Sequence, residues 1–184
     1  LMLEIRDFTV EYRQKPLGID VNAPRFSWKL CSDQQNTKQQ RYALSVTDET
    51  GDTVWESGPE ESDQSVLLAY QGRPLKACTC YHVSLRIQDN HGQEAESKTS
   101  FETGLLQGTS FQAQWIAPRH PQKSGSCPVL TKEVSLEGKG IRKARIYASA
   151  HGLYEIAINQ KKVGDALLTP GWTSYHHRLQ YQTY

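Results

Sequence analysis

The sharpest candidate for metal chemistry is a short stretch with cysteine, cysteine and histidine at alternate positions: Cys78, Cys80 and His82. Thiolate and imidazole are ligands that Zn²⁺ prefers, and in an extended strand these side chains would share one face. Neighbours on that face stand about 6.6 Å apart at ~3.3 Å per residue, wider than the ligands of one Zn²⁺ usually lie. His176 and His177 are adjacent and would face opposite ways on a strand. We therefore predict no metal site, no cofactor and ordinary thiols.

Catalysis by carboxyl groups needs a matched pair, and no pair can be recognised here. The 20 acidic side chains are spread along the chain. Glu102, Glu155 and Asp165 lie within motifs, where hydrogen bonding in turns or at strand edges is the expected role. The sequence has no Gly-rich phosphate loop, no His-Glu-x-x-His and no Gly-x-Ser-x-Gly. We predict no catalytic residue in this chain.

Aromatic side chains are dense near the end of the chain, and Trp172 and Tyr175 are the candidate carbohydrate-binding residues. The apolar face of an aromatic ring suits the C–H-rich surface of a sugar. The same aromatics could instead form a packing interface with other protein surface. Both interpretations stay open at the level of the sequence.

Composition places the 184-residue chain among globular proteins, with 37% apolar residues. Its 21 basic and 20 acidic side chains give a formal net charge of +1, which favours neither nucleic acid nor an anionic membrane as a partner. No apolar run approaches the roughly 20 residues of a membrane span. The four cysteines are too few and too scattered for a disulfide framework.

Short runs of alternating apolar and polar residues, separated by Gly, Pro, Asn and Asp, predict an all-β protein. Seven strands in the first unit, residues 1–105, predict an antiparallel sandwich of the immunoglobulin or fibronectin type III kind. The predicted strands are 3–12, 25–30, 41–47, 53–57, 65–70, 81–88 and 98–103. Turns at 48–52 and 89–92 predict two antiparallel hairpins, with Gly or Asn at positions of positive φ.

Two aromatic residues predict where the first core lies. Leu75 precedes Tyr81 by six residues, and three aliphatic residues follow Tyr81 at period two, as in the tyrosine corner of such sandwiches. Trp28 shares a face with Phe26 on the second strand. We predict that Trp28 is a core residue and that it binds no ligand.

The second unit, residues 106–184, is predicted to be part of a jelly-roll sandwich. Its predicted strands are 129–136, 141–149, 154–159 and 178–184, with a tight hairpin at 159–162. These are about half the strands of an eight-stranded jelly roll. The last strand has no closing turn, so we expect the domain to continue beyond this sequence and the incomplete edge to favour self-association.

A series of motifs along nearly the whole chain resembles the N-terminal region of bacterial α-L-rhamnosidases, glycoside hydrolase family 78. The motifs occur in the family's order at 16–20, 24–28, 55–58, 101–105, 115–116, 152–155, 163–165, 170–173 and 181–184. Gln160 departs from the Gly that the family usually has in this hairpin, and Val83 stands where Trp is common.

The resemblance implies a noncatalytic accessory fragment, because the family's catalytic carboxylates lie on an (α/α)₆ barrel beyond the region that this chain resembles. Its expected partners are the catalytic domains of the same polypeptide. The alternative is a carbohydrate-binding module that binds a rhamnose-containing saccharide through exposed aromatics. The compartment, whether secreted, periplasmic or cytoplasmic, stays open.

Overall fold

A computed structural model of the protein describes residues 2–106, 111–119, 127–136, 138 and 140–184. Within these ranges the regular structure is entirely β. The strands of the first unit are β1 (Leu3–Val10), β2 (Arg25–Ser32), β3 (Gln39–Asp48), β4 (Thr53–Glu56), β5 (Glu60–Glu61), β6 (Leu68–Ala69), β7 (Cys80–Asp89) and β8 (Glu94–Glu102). Those of the second unit are β9 (Tyr147–Ala148), β10 (Ala157–Ile158), β11 (Lys161–Lys162) and β12 (Gln182–Thr183). No described helix is long and apolar enough to cross a membrane.

The first unit is an antiparallel sandwich of two sheets, as predicted. One sheet has the strand order β1-β2-β6, and the other has the order β4-β3-β7-β8, with β5 paired to the edge of β3. Residues alternate between buried and exposed along β3 and β7, because successive side chains of a strand point to opposite faces. The inward faces of the two sheets therefore form one core.

Trp28 lies in that core and is only 2% exposed, which confirms its predicted role. Its ring packs edge-on against Phe8 and Tyr42, with centroids 6.2 and 5.7 Å away. The indole Nε1 donates a hydrogen bond of 2.8 Å to the side-chain oxygen of Gln39, so the buried polar atom of the ring is satisfied.

Tyr81 forms the predicted tyrosine corner. The residue is 1% exposed, its hydroxyl accepts a 2.8 Å hydrogen bond from the amide of Lys76, and its ring stacks on Phe101 at 5.2 Å. Leu75 packs against the same core. The corner fixes the entry of the chain into β7.

Both predicted hairpins are present, and an aspartate organises each one. Asp48 Oδ1 accepts hydrogen bonds from the amides of Thr50 and Asp52, and Asp89 Oδ1 accepts from those of His91 and Gln93. Glycine occupies the left-handed position in each turn, with φ of 93° at position 51 and 79° at position 92. Glycine adopts these φ values without the steric cost that a Cβ would bring.

Several strand boundaries differ from prediction for local reasons. β1 ends at Val10 because Glu11 and Tyr12 have positive φ values of 47° and 65°. Leu67, with φ of 54°, restricts the strand predicted from Ser65 to two residues of β6. The predicted strand 129–136 forms no ladder with any described segment.

The second unit contains two short antiparallel pairs, β9 with β12 and β10 with β11. Asn159 and Gln160 form the predicted tight turn between β10 and β11, with φ of 49° and 66°. Two consecutive residues of positive φ define a type I′ turn. The ladders are too short to trace a jelly roll, so that assignment stays a prediction.

Candidate functional site: a junction and an aromatic stack

A group of polar contacts between described residues joins the two units. A two-stranded ribbon, residues 143–148 and 181–184, contains β9 and β12 and is extended by reciprocal hydrogen bonds of 3.0 and 2.9 Å between the backbones of Ile146 and Tyr184. Arg145 precedes Tyr147 by two residues, just before β9, and Thr183 stands directly opposite Tyr147. Such positions share a face. This face of the ribbon meets the first unit at a surface that we call the junction.

Glu102, at the end of β8, is the charged centre of the junction. Its side chain is 5% exposed and receives a two-point contact from Arg145, with Nε at 2.8 Å and Nη2 at 3.0 Å. Lys143 Nζ lies 2.8 Å from the same carboxylate. Burial alone would raise the pKa of Glu102, but the hydrogen bonds from Arg145 and Lys143 outweigh it, so the pKa falls below its usual range.

Tyr181 is the second fixed point of the junction. Its hydroxyl donates a 2.7 Å hydrogen bond to Asp20 Oδ1 and accepts one of 2.9 Å from the amide of Leu105. Asp20 Oδ1 also accepts from the amide of Leu106 at 3.0 Å. Burial and the neighbouring Asp20 raise the pKa of the Tyr181 phenol, which is therefore a neutral donor at ordinary pH.

Two glycines of the first unit allow the ribbon to approach closely. A Cβ added at Gly104 would collide with the Tyr181 hydroxyl and with Asp20, and one added at Gly18 would collide with Thr183. Gly18 also has a positive φ of 74°. These positions lack side chains where the ribbon makes its closest contacts.

A second feature is an aromatic stack of Trp115, His151 and Tyr175. The rings of His151 and Tyr175 are nearly parallel, with centroids 5.1 Å apart and planes 8° apart, and Trp115 lies 4.4 Å from His151 at a tilt of 42°. The Tyr175 hydroxyl accepts a 2.9 Å hydrogen bond from the amide of Gly152. One surface therefore holds three rings from segments distant in sequence.

The predicted carbohydrate-binding residues have different settings. Tyr175 is half-buried within the stack, whereas Trp172 is 92% exposed. Trp115 and His151 were not predicted to take part, because they are 36 positions apart and no periodicity links them.

The cysteine-histidine stretch does not form a single strand face. β7 begins at Cys80, and Cys78 lies before it with a left-handed φ of 54°. Among the residues that the structure describes, no three His, Cys, Asp or Glu side chains are grouped to hold a metal ion. His176 and His177 lie in a turn and not on a strand.

The roles of the singled-out carboxylates differ from one another. Glu155 forms an exposed ion pair with Lys162 at 3.4 Å, which suits the modest role predicted. Glu102 is buried and paired with Arg145 and Lys143, a role that its position at a strand end did not indicate.

Comparison with protein families defines the class to which this all-β chain belongs. Residues 5–107 match the family described as "Rha78A-like, N-terminal immunoglobulin domain", and residues 139–184 match "Alpha-L-rhamnosidase N-terminal domain". The chain belongs to the family of α-L-rhamnosidase N-terminal regions, as its motifs indicate.

Individual relatives agree with this assignment. An α-L-rhamnosidase of Streptomyces avermitilis is 37% identical over 142 residues, which are 74% of this chain and 13% of the relative. One from Formosa agariphila is 28% identical, over 100% of this chain and 22% of the relative. The solved α-L-rhamnosidase of Dictyoglumus thermophilum superposes with a TM-score of 0.83 at 33% identity, over 98% of this chain and 23% of that one. The chain thus spans less than a quarter of the length of these relatives.

Proposed function

We propose that the chain acts as the noncatalytic N-terminal accessory region of an α-L-rhamnosidase, a glycoside hydrolase that releases terminal α-L-rhamnose from glycosides and polysaccharides. The observation that carries the proposal is the match of two successive segments to N-terminal domains of these enzymes. The relatives are about four to six times longer, since 98% of this chain matches 23% of one and 74% of this chain matches 13% of another. The division near residue 105 into two β-domains is part of this proposal.

The partner in this proposal is the set of catalytic domains of the same polypeptide. The second unit carries exposed apolar side chains near its cis Thr169-Pro170 bond: Leu167 is 77%, Leu168 73% and Trp172 92% exposed. Surfaces of this kind commonly mark contacts with other protein. In the accessory role this surface packs against the catalytic domains, and the first unit is the folded β-sandwich to which the second unit is attached.

The proposal is tested by hydrolysis of an aryl α-L-rhamnoside with highly purified chain. We expect release of the aryl group at the rate of buffer alone, and a full-length α-L-rhamnosidase serves as the positive control. Turnover above buffer that survives further purification would contradict a noncatalytic role and would require a carboxylate pair within these residues.

A second candidate function is carbohydrate binding through exposed aromatics, and the aromatic stack favours it. Trp115 is 62% exposed and Trp172 is 92% exposed, so both indole surfaces are accessible to a sugar ring. Calorimetric titration with a rhamnose-containing oligosaccharide distinguishes the candidates. Saturable heat that is lost in Trp172→Ala or Tyr175→Ala, but kept in Phe111→Ala, would support a binding module; no heat would favour the accessory role alone.

Self-association is a further part of the proposal, since the same exposed apolar side chains can pack against a second copy. Analytical ultracentrifugation over a range of concentrations tests it. We expect reversible association that weakens in Leu168→Ser. A monomer at all concentrations would remove self-association from the proposal and leave the accessory role intact.

A further inference from the structure

We infer that the junction is a lock that holds the ribbon of the second unit in a fixed orientation on the first unit, with Glu102 and Tyr181 as its two fastening points. The inference concerns the orientation of the two units and does not depend on the proposed enzyme. It rests on the contacts of four junction residues and on the contrast with a fifth.

The first fastening point is a desolvated charge. Glu102 is nearly inaccessible to solvent, while Arg145 and Lys143 are 33% and 34% exposed. Glu102 belongs to the first unit and both cations that contact it belong to the second, so these ion pairs exist only when the units are joined. Removing one cation while the site stays closed would leave a buried charge without full compensation. Because the Arg145 contact has two hydrogen bonds, it fixes an angle as well as a distance.

The second fastening point is the Tyr181 hydroxyl, which donates one hydrogen bond and accepts another. Tyr181 donates to Asp20 and accepts from the Leu105 amide, so it joins two separate segments of the first unit. Removing the hydroxyl would remove both hydrogen bonds. Water can replace the lost donor at the exposed Asp20 carboxylate, whereas the half-buried Leu105 amide would lose its acceptor.

Shape enforces the same orientation. Gly104 has no room for a Cβ beside the Tyr181 hydroxyl, and Gly18 has none beside Thr183. A rotated ribbon would have to give up both close contacts as well as the hydrogen bonds. The two fastening points therefore specify one arrangement rather than a sliding contact.

The chain contains its own control for this lock. Tyr147 lies on the same ribbon face, with its ring centroid 6.2 Å from that of Tyr181. Its hydroxyl is buried beside the weakly polar Cys78 thiol of the first unit, and it has no other polar partner among the described residues. Tyr147→Phe and Tyr181→Phe each remove one oxygen from one face, but only Tyr181→Phe removes hydrogen bonds to a carboxylate and to a backbone amide.

Hydrogen exchange of the intact chain, read by NMR or mass spectrometry, tests the lock. The reporters are the amides of Ile146 and Tyr184, which are hydrogen-bonded to each other's carbonyls, and amides within β7 report whether the first unit stays folded. We expect Tyr181→Phe and Glu102→Gln to speed exchange at the ribbon by about tenfold each, as loss of one or two such hydrogen bonds implies, with little change in β7. Tyr147→Phe should leave the ribbon unchanged.

Three results would overturn the inference. The first is that the ribbon amides exchange as fast in the parent as in Tyr181→Phe. The second is that Tyr147→Phe and Tyr181→Phe speed this exchange equally. The third is that Glu102→Gln leaves the exchange rate of the ribbon amides unchanged. If Tyr181→Phe failed to fold, the β7 amides would show it, and Glu102→Gln would then decide the matter.

Discussion

At the scale of single residues, the molecule contrasts an apolar core with a buried carboxylate at the junction. Trp28 and Tyr81 place their rings in the core and their polar atoms on hydrogen-bond partners. Glu102 keeps its charge at a buried position because Arg145 and Lys143 supply donors from the other unit. Each of these side chains has a measurable consequence.

Replacing Trp28 by alanine should lower the free energy of unfolding by about 3–5 kcal/mol, since the change leaves a large cavity in the first core. Trp172→Ala is the matched control, because the side chain is 92% exposed, and it should change stability by no more than about 0.5 kcal/mol. Urea unfolding followed by circular dichroism measures both. Equal effects would mean that the burial of Trp28 is misassigned.

Glu102 should make stability depend on pH in a defined direction. Its folded pKa lies below the ordinary value of 4.5, so the carboxylate contributes fully above the unfolded pKa, and the contribution is lost as pH falls through the folded pKa. Urea unfolding of the parent and of Glu102→Gln at several pH values measures the contribution of the Glu102 carboxylate to the free energy of unfolding. The parent should be more stable near neutral pH, and the difference should shrink in acid below about pH 4. A difference that grows on acidification would contradict the assignment.

At the scale of elements, turns and close approaches decide where strands end and how they meet. Gln160 occupies a left-handed position in the β10–β11 turn, where its Cβ is unfavourable. Gly104 lies where any Cβ would meet Tyr181. We therefore expect glycine to be stabilising at position 160 and alanine to be destabilising at position 104.

Gln160→Gly should stabilise the β10–β11 hairpin by about 1 kcal/mol, because glycine adopts positive φ without the Cβ clash. The control is Lys161→Gly, one residue later within β11, where glycine should destabilise by about 0.5–1 kcal/mol. Exchange of the Val163 amide, which donates to the Ile156 carbonyl at 2.9 Å, reports on this hairpin. Slower exchange in Lys161→Gly than in Gln160→Gly would refute the type I′ assignment.

Gly104→Ala should weaken the junction, whereas Gly140→Ala should not. Among the described residues, no atom lies within 4 Å of a Cβ added at Gly140, so Gly140→Ala adds a methyl group without a clash there. Overpacking of a close contact typically costs about 1–3 kcal/mol, seen here as faster exchange at Ile146 and Tyr184. Equal exchange in the two variants would show that the ribbon does not approach Gly104 closely.

Local patterns in the sequence predicted the first unit well, and the reasons are physical. Alternation at period two, the turns headed by Asp48 and Asp89, and the spacing from Leu75 to Tyr81 are all short-range features. The left-handed conformation of Leu67 was not predictable, because leucine has no preference for it. The junction was not predictable either, since Tyr181 and Asp20 are separated by 161 positions.

At the scale of the whole molecule, the two units are held together by polar contacts that could not be predicted from the sequence. The first unit has a continuous apolar core, and the second has short ladders and many exposed apolar side chains. An accessory region can orient the domains attached to it only if its own parts keep a fixed arrangement. The junction supplies that arrangement here.

Scanning calorimetry of the intact chain tests most directly the claim that the two units form one body. We predict a single transition whose calorimetric and van't Hoff enthalpies agree, and a loss of that agreement in the double variant Glu102→Gln, Tyr181→Phe. Two separate transitions in the parent, unchanged in the double variant, would show that the units unfold independently and would contradict the central claim.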